Sequence, residues 1–238
     1  MTKNSDNVSG ASGPYQFIPY SAERHSPGDM LARAEAFRRE MAKRRSVREF
    51  SAEALPEGVL DECIRAAGLA PSGANRQPWT FVVVTDPTTK SKIREAAEAE
   101  ERELYERRIS DEWRGALEPL GTDANKPFLE TVPAIVVLFR QVYGLDEGGN
   151  RSTNYYTQES VGIALGFFIA ALQHAGLATL THTPSPMGFL GELLGRPSNE
   201  KAYVLLPIGF PATDCCVPDI TKKALGEIRV NFKGPAQV

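Results

Sequence analysis

Three arginines and a serine fall within five residues at Arg44-Arg45-Ser46-Val47-Arg48, between a charged helical stretch and an extended one. Guanidinium forks bind phosphate or carboxylate oxygens in pairs, so this cluster can clamp an anionic group; it can equally be a basic patch at a helix C-terminus. A second candidate is the small-residue turn Ala70-Pro71-Ser72-Gly73-Ala74-Asn75-Arg76-Gln77-Pro78-Trp79. Such a turn leaves backbone N–H groups open to an anion or a flat ligand, where a plain connecting loop would have no call for so particular a run. A third is Lys90 to Arg114, where Glu and Arg alternate so densely that little apolar stripe remains. That segment reads as a helix pair standing off the core, either a lid or a solvated face laced by i,i+4 ion pairs.

Several chemistries lack their residues. The three histidines, His25, His174 and His182, form no HExxH or Cys/His cluster, so no metal ligand set is expected. There is no GxSxG elbow, no GxxxxGK[ST] loop and no GxGxxG, so the chemistry of an enzyme of this sequence is expected to belong to a cofactor. Lys and Arg number 27 against 30 Asp and Glu, a net charge of −3, and no basic excess is available for a nucleic-acid backbone. Cys63, Cys215 and Cys216 cannot make a disulfide framework and suit a reducing cytoplasm.

The elements that must position these residues can be read from periodicity. With 238 residues and 42% hydrophobic content, the chain can bury one sizeable core. Residues 1–28, rich in Ser, Gly and Pro, read as a flexible arm, with neither a signal pattern nor an anchor. Asp29 to Lys43 and Pro56 to Ala67 read as amphipathic surface helices. Thr80–Thr85, Val132–Phe139, Leu177–Thr183 and Ala202–Phe210 read as short buried strands. The helix from about Tyr156 to Ala175 is apolar all round and must be covered on every side, in a core or at a subunit interface. Its apolar run, Val161 to Leu172, is twelve residues, too short for the roughly 20 of a membrane span. Helices alternating with strands argue for an α+β or α/β layered domain over residues 29–238.

The motifs together carry a family likeness. RRSVR, APSGANRQPWTFVVV and TPSP after a strand occur in the order and spacing of the FMN-dependent nitroreductase superfamily, which this chain resembles from about Arg44 to Val230. Within it, EEREL before Tyr105, then Trp113, Lys126, NYYTQESVGIALG, AALQHAGLATLTHTP, LLGRP and VPDI resemble the iodotyrosine deiodinase branch. The resemblance implies a nitroreductase-like three-layer α/β/α fold, a central mixed sheet flanked by helices, and a domain-swapped-style homodimer with the active site at the subunit interface.

It also implies roles. Arg44, Arg45, Ser46, Val47 and Arg48 would meet the phosphate and ribityl side of FMN, with Lys222 standing where relatives often carry Arg. Ser72 and Gly73 would touch the cofactor from the turn, and Thr181, His182 and Thr183 would line the flavin edge. Thr183 is then the catalytic hydroxyl, donating to flavin N5 and supporting one-electron steps. Glu101 and Tyr105, four apart on one helix face, would join Lys126 around the ammonium and carboxylate of a halogenated tyrosine. The backbone N–H of Ala74 would meet the phenolate oxygen, and the charged helices over about residues 88–126 would become a substrate lid. Electrons would come from NAD(P)H or a separate reductase.

Overall fold

Apolar runs along four strands build the centre of the computed structural model, which describes residues 15–232 and residue 234. The strands are β1 (Trp79–Val84), β2 (Ala134–Gln141), β5 (Ala178–Thr179) and β6 (Glu200–Gly209), arranged β1-β2-β6-β5. Each neighbouring pair is antiparallel. A parallel bridge between Ser46 and Thr179 makes the sheet mixed at its β5 edge. Along β2, Ile135, Val137 and Phe139 face one apolar cluster while Val136 and Leu138 face another. A strand buried on both faces has no polar side to show, which is why VPAIVVLF reads as a continuous apolar run.

Helices cover the two faces. On one side lie α2 (Val59–Gly68) and α6 (Thr157–His174), with Cys63, Ala67, Val161, Phe168 and Leu172 in the shared cluster. On the other lie α3 (Pro87–Glu103), α5 (Phe128–Thr131) and α7 (Gly188–Leu193), contributing Ile93, Ala97, Phe128, Leu129 and Leu190. The result is the expected three-layer α/β/α arrangement. A short helix α4 (Asp111–Leu117) follows α3, and α8 (Leu225–Ile228) lies near the C-terminus. The first helix, α1 (Pro27–Lys43), buries none of its residues and leaves Met30, Leu31 and Phe37 exposed. It begins two residues before the expected Asp29, because Ser26 caps it by accepting from the Asp29 N–H at 3.2 Å. The arm expected over residues 1–28 lies outside the described residues up to residue 14, and residues 16–26 have no regular secondary structure.

Two expectations need correction, and one hairpin went unread. The strand read over Leu177–Thr183 is regular only at Ala178–Thr179; the ladder then breaks, and His182 rejoins Leu205 as an isolated bridge. A hairpin of β3 (Tyr143–Leu145) and β4 (Arg151–Thr153), tied by the Asp146 side chain accepting from Asn150 N–H at 2.7 Å, gave too short and polar a run to read. The charged segment does carry a buried stripe on α3, at Lys90, Ile93, Ala97 and Glu101, so its first half packs on the core. Two of those four positions are charged, which hid the stripe. The Lys90 ammonium is satisfied by the carbonyls of Val132 at 2.6 Å and Glu130 at 3.0 Å.

Phe168 is fully buried between α6 and the sheet, edge-on to Phe81 at a centroid distance of 5.3 Å. Phe168→Ala is expected to destabilise the protein by about 4 kcal/mol, read as a lower urea midpoint; an unchanged midpoint would mean that this layer is not packed as described.

Candidate functional site

The sheet edge, an extended segment and the charged helices meet around a cleft of about 400 Å³. Its first wall is set by backbone pairing. Val47 N–H donates to Thr179 O at 3.2 Å beside the parallel Ser46–Thr179 bridge, so successive side chains of the segment alternate in direction. Arg48 faces the cleft, while Arg45 and Val47 line a separate groove with Ala178 and Pro211. Arg45 also donates to the carbonyl of Pro218. Ser46 opens with Arg48 onto a side groove bordered by Glu118–Gly121. Arg44 is half-buried, its N–H bonded to Met41 O at 3.2 Å.

The second wall is the frayed edge beyond β5. His182 exchanges backbone hydrogen bonds with Leu205 at 2.8 and 2.9 Å. That pairing buries the imidazole and leaves Thr181 and Thr183 exposed on the cleft side. Burial, reinforced by the positive charges of Lys126 and Arg48, holds the His182 pKa down at about 3. The imidazole is therefore neutral at physiological pH, stacked edge-on to Phe128 at 6.3 Å with Nε2 lacking a protein partner among the described residues.

The third wall carries the charges. Glu101 ends the buried stripe of α3, and Tyr105 follows in a single π-helical turn, Leu104–Arg108. Lys126 precedes α5, and its N–H donates to the Glu98 carboxylate at 2.7 Å. The ammonium of Lys126 lies 3.5 Å from Glu101 Oε2 and donates to Asp123 O and to Thr122 Oγ1. Tyr105 donates its hydroxyl to Thr122 O at 3.2 Å. Lys126 is 3% and Glu101 8% exposed, so both ions are desolvated. Burial pushes the Glu101 carboxyl up, with Lys126 opposing it, and pushes the Lys126 ammonium down, with Glu101 opposing it. Leu104, Trp113, Leu117, Phe128 and Met187 supply apolar surface beside this pair. The cleft can thus seat a molecule with an aromatic or apolar body and both charges at one end.

Arg48, Glu101, Tyr105, Lys126, Thr181, His182 and Thr183 are brought together here. Ser72, Gly73 and Ala74 are not among the cleft residues of the same chain. They pack against the start of α6, with Gly73 N–H donating to Ser160 Oγ at 3.3 Å and Ser72 Oγ accepting from Gln77 N–H at 2.9 Å. A Cβ on Gly73 would stand 2.7 Å from the carbonyl of Tyr155, which explains why that position is glycine. Ala74, Asn75, Gln77 and Tyr156 all adopt positive φ, strain of the kind that clusters where backbone serves a ligand. Lys222 lies exposed in the C-terminal stretch. The sequence reading did not single out Leu104, Leu117, Phe128 or Met187, because an apolar residue beside a site looks like any core residue.

Known proteins resemble this chain in sequence and fold. The nitroreductase family model matches residues 41–210. The chain is 50% identical to an iodotyrosine deiodinase of Haliscomenobacter hydrossis, over 91% of this chain and 97% of that protein. It is 47% identical to iodotyrosine deiodinase 1 of Mus musculus, over 90% of this chain and 76% of that one. Among solved structures it is similar to oxidised iodotyrosine deiodinase bound to FMN and 3-iodo-L-tyrosine, with a TM-score of 0.72 at 29% identity, covering 82% of this chain and 99% of that one. An FMN-bound nitroreductase from Bacteroides fragilis shares the fold, with a TM-score of 0.60 at 18% identity, covering 82% and 98%. Among the described residues no helix is long and apolar enough to cross a membrane, and no three His, Cys, Asp or Glu side chains are grouped to hold a metal.

A buried ion pair broken on one side leaves an uncompensated charge. Glu101→Gln or Lys126→Met alone should each cost about 3 kcal/mol, whereas the double variant should recover most of that loss. Urea unfolding of the three variants measures it, and strictly additive losses would show that the two groups are not coupled.

Proposed function

The chain belongs to the nitroreductase family, and on that footing we propose that it is an FMN-dependent reductive dehalogenase of iodotyrosines, yielding tyrosine and iodide. The observation that carries this reading is the buried Glu101–Lys126 pair beside Tyr105, in the same cleft as Arg48 and the Thr181–Thr183 edge. A nitroaromatic substrate has no use for two opposed buried charges. An amino acid answers both: its ammonium replaces Lys126 as the partner of Glu101, and its carboxylate takes Lys126 and the Tyr105 hydroxyl. Bromo- and chlorotyrosine carry the same zwitterion and fit the same trio.

The donor set also fits FMN. Among the described residues neither Arg44 nor Arg48 has an acidic partner within ion-pair distance, although both residues are half-buried. A cation so placed is best satisfied by an anion brought by a ligand. Arg44, Arg45, Ser46 and Arg48 would hold the phosphate and ribityl side, with Val47 between them and Lys222 reaching from the C-terminal stretch. FMN, when bound, supplies the two electrons that convert a carbon–halogen bond and a proton into a carbon–hydrogen bond and halide. Thr183 offers its hydroxyl to flavin N5, with Thr181 and His182 setting the edge on which it sits. The neutral His182 adds no charge beside the flavin, and the outer part of the charged segment, from Leu104 to about residue 126, serves as the lid that excludes water from the zwitterion.

A second copy completes this site in the proposal. The Ser72–Ala74 turn lies outside the cleft of its own chain, so its contact with cofactor and phenolate, through Ala74 N–H, would be made across a homodimer interface. Tyr156, Ile163 and Phe167 leave α6 with an exposed apolar face, and Leu225, Ile228 and Phe232 are exposed near the C-terminus. These surfaces suit burial against another copy, as does the α1 stripe. The cytoplasm is the proposed compartment, consistent with three unpaired cysteines. NAD(P)H, directly or through a separate reductase, is the proposed electron source.

The test is anaerobic. The FMN-loaded protein is reduced chemically and mixed with 3-iodotyrosine, and iodide and tyrosine are quantified against free FMN. Repeated stoichiometric release is expected. Glu101→Gln and Lys126→Ala should each raise KM about tenfold or more. Iodotyrosine surviving in the presence of reduced, bound FMN would overturn the reading.

A further inference from the structure

The charged segment that carries Glu101 and Tyr105 is knit together mostly by its own residues. Arg114 donates to the Tyr105 carbonyl at 2.7 Å, Tyr105 donates to Thr122 O, and Arg107 pairs with Glu103 at 3.4 Å. Among the described residues two of its side chains reach toward residues 180–187: Glu101, whose Oε1 lies 3.9 Å from His182 Nδ1, and Arg108. The Arg108 guanidinium donates through Nη1 to Ser185 O at 2.8 Å, and through Nη2 to Glu100 O at 2.8 Å and Glu100 Oε2 at 3.0 Å. Ser185 lines the cleft two residues beyond Thr183. Among the described residues this is the one side-chain hydrogen bond from residues 104–121 to residues 180–187.

The local backbone explains why an arginine at this position can make all three contacts. Ile109 N–H bonds to Leu104 O at 2.9 Å, five residues back, so the helix widens into one π turn where α3 ends. Single π turns of this kind are uncommon and occur mostly at functional sites. The turn holds Tyr105 in the cleft wall and ends at Arg108, whose fork returns to the Glu100 peptide next to Glu101. A planar fork can serve two separate carbonyls and a carboxylate at once, which the single-point ammonium of a lysine does less well.

We propose that Arg108 is a positioning residue: it fixes the Glu101–Tyr105 turn at the start of the lid in register with the Thr183 edge of the cleft. The proposal rests on the halotyrosine reading for its meaning, since it couples the groups assigned to the zwitterion to the groups assigned to the flavin. Arg108 itself is not among the residues that line the cleft. Glu100 acts with it, holding the guanidinium at the end of α3. Arg107 is the internal comparison, because it has the same charge on the same turn but pairs only within the charged segment.

The experiment compares Arg108→Ala, Arg108→Lys and Arg107→Ala with the unaltered chain, each loaded with FMN, by hydrogen exchange without substrate and by turnover of 3-iodotyrosine. Hydrogen exchange across residues 104–121 should quicken about tenfold in Arg108→Ala, less in Arg108→Lys, and not in Arg107→Ala. KM for 3-iodotyrosine should rise about tenfold in Arg108→Ala and be partly restored in Arg108→Lys, while FMN affinity stays within about twofold. Equal exchange in the Arg108 and Arg107 variants, an unchanged KM, or a parallel loss of FMN binding would each overturn the positioning role. If the unaltered protein releases no iodide, the dehalogenase reading falls, and the exchange comparison still decides whether Arg108 holds the lid.

Discussion

Two opposite charges sealed from water dominate the chemistry of this fold. Glu101 and Lys126 come from different elements, one ending the buried stripe of α3 and the other preceding α5. Their juxtaposition is not free, because desolvating a carboxylate and an ammonium costs several kcal/mol per ion before their attraction is counted. The scaffold around them is correspondingly built to hold register. Lys90 fastens α3 to the carbonyls at the end of α5, Glu98 takes the backbone N–H of Lys126, and Arg94 ties Glu98 to Glu130. A pair maintained at such cost suits a ligand that replaces each partner with an equivalent charge.

The opposite wall depends on a broken strand. If the ladder of β5 had continued through Thr183, those hydroxyls would sit in a regular sheet edge. Instead the bridge at His182 is isolated, the imidazole turns inward and neutral, and the two threonines flank it facing the cleft. The parallel bridge at Ser46 then places Arg48 beside them. Sheet edge, arginine segment and lid are thus three neighbours of one space, each placed by backbone pairing or core packing.

Much of this was legible in the amino-acid order. The apolar strands and the all-apolar helix announced a layered core, because burial on two faces removes the polar alternation that a surface element keeps, and the family likeness supplied its three layers. RRSVR and the Ser72–Ala74 turn stood out by composition, and family likeness supplied the trio of Glu101, Tyr105 and Lys126. The α3 stripe was illegible because its two ends are a lysine and a glutamate, residues that hydrophobic patterning counts as surface. The Tyr143–Thr153 hairpin escaped because two three-residue strands around a polar turn carry too few side chains to show a period. The apolar cleft lining escaped for the converse reason: Leu117 and Met187 differ from core residues only in what they face.

The central claim is that this buried pair is a receptor for an α-amino acid zwitterion. The most direct measurement titrates the oxidised FMN-loaded protein with 3-iodotyrosine and with two analogues that lack one charge each, 3-iodotyramine and the corresponding iodinated hydroxyphenylpropionate. Binding of each analogue should be weaker by at least about tenfold. Analogues that bind as tightly as 3-iodotyrosine would contradict the account, since Glu101 and Lys126 would then be reading neither end of the ligand.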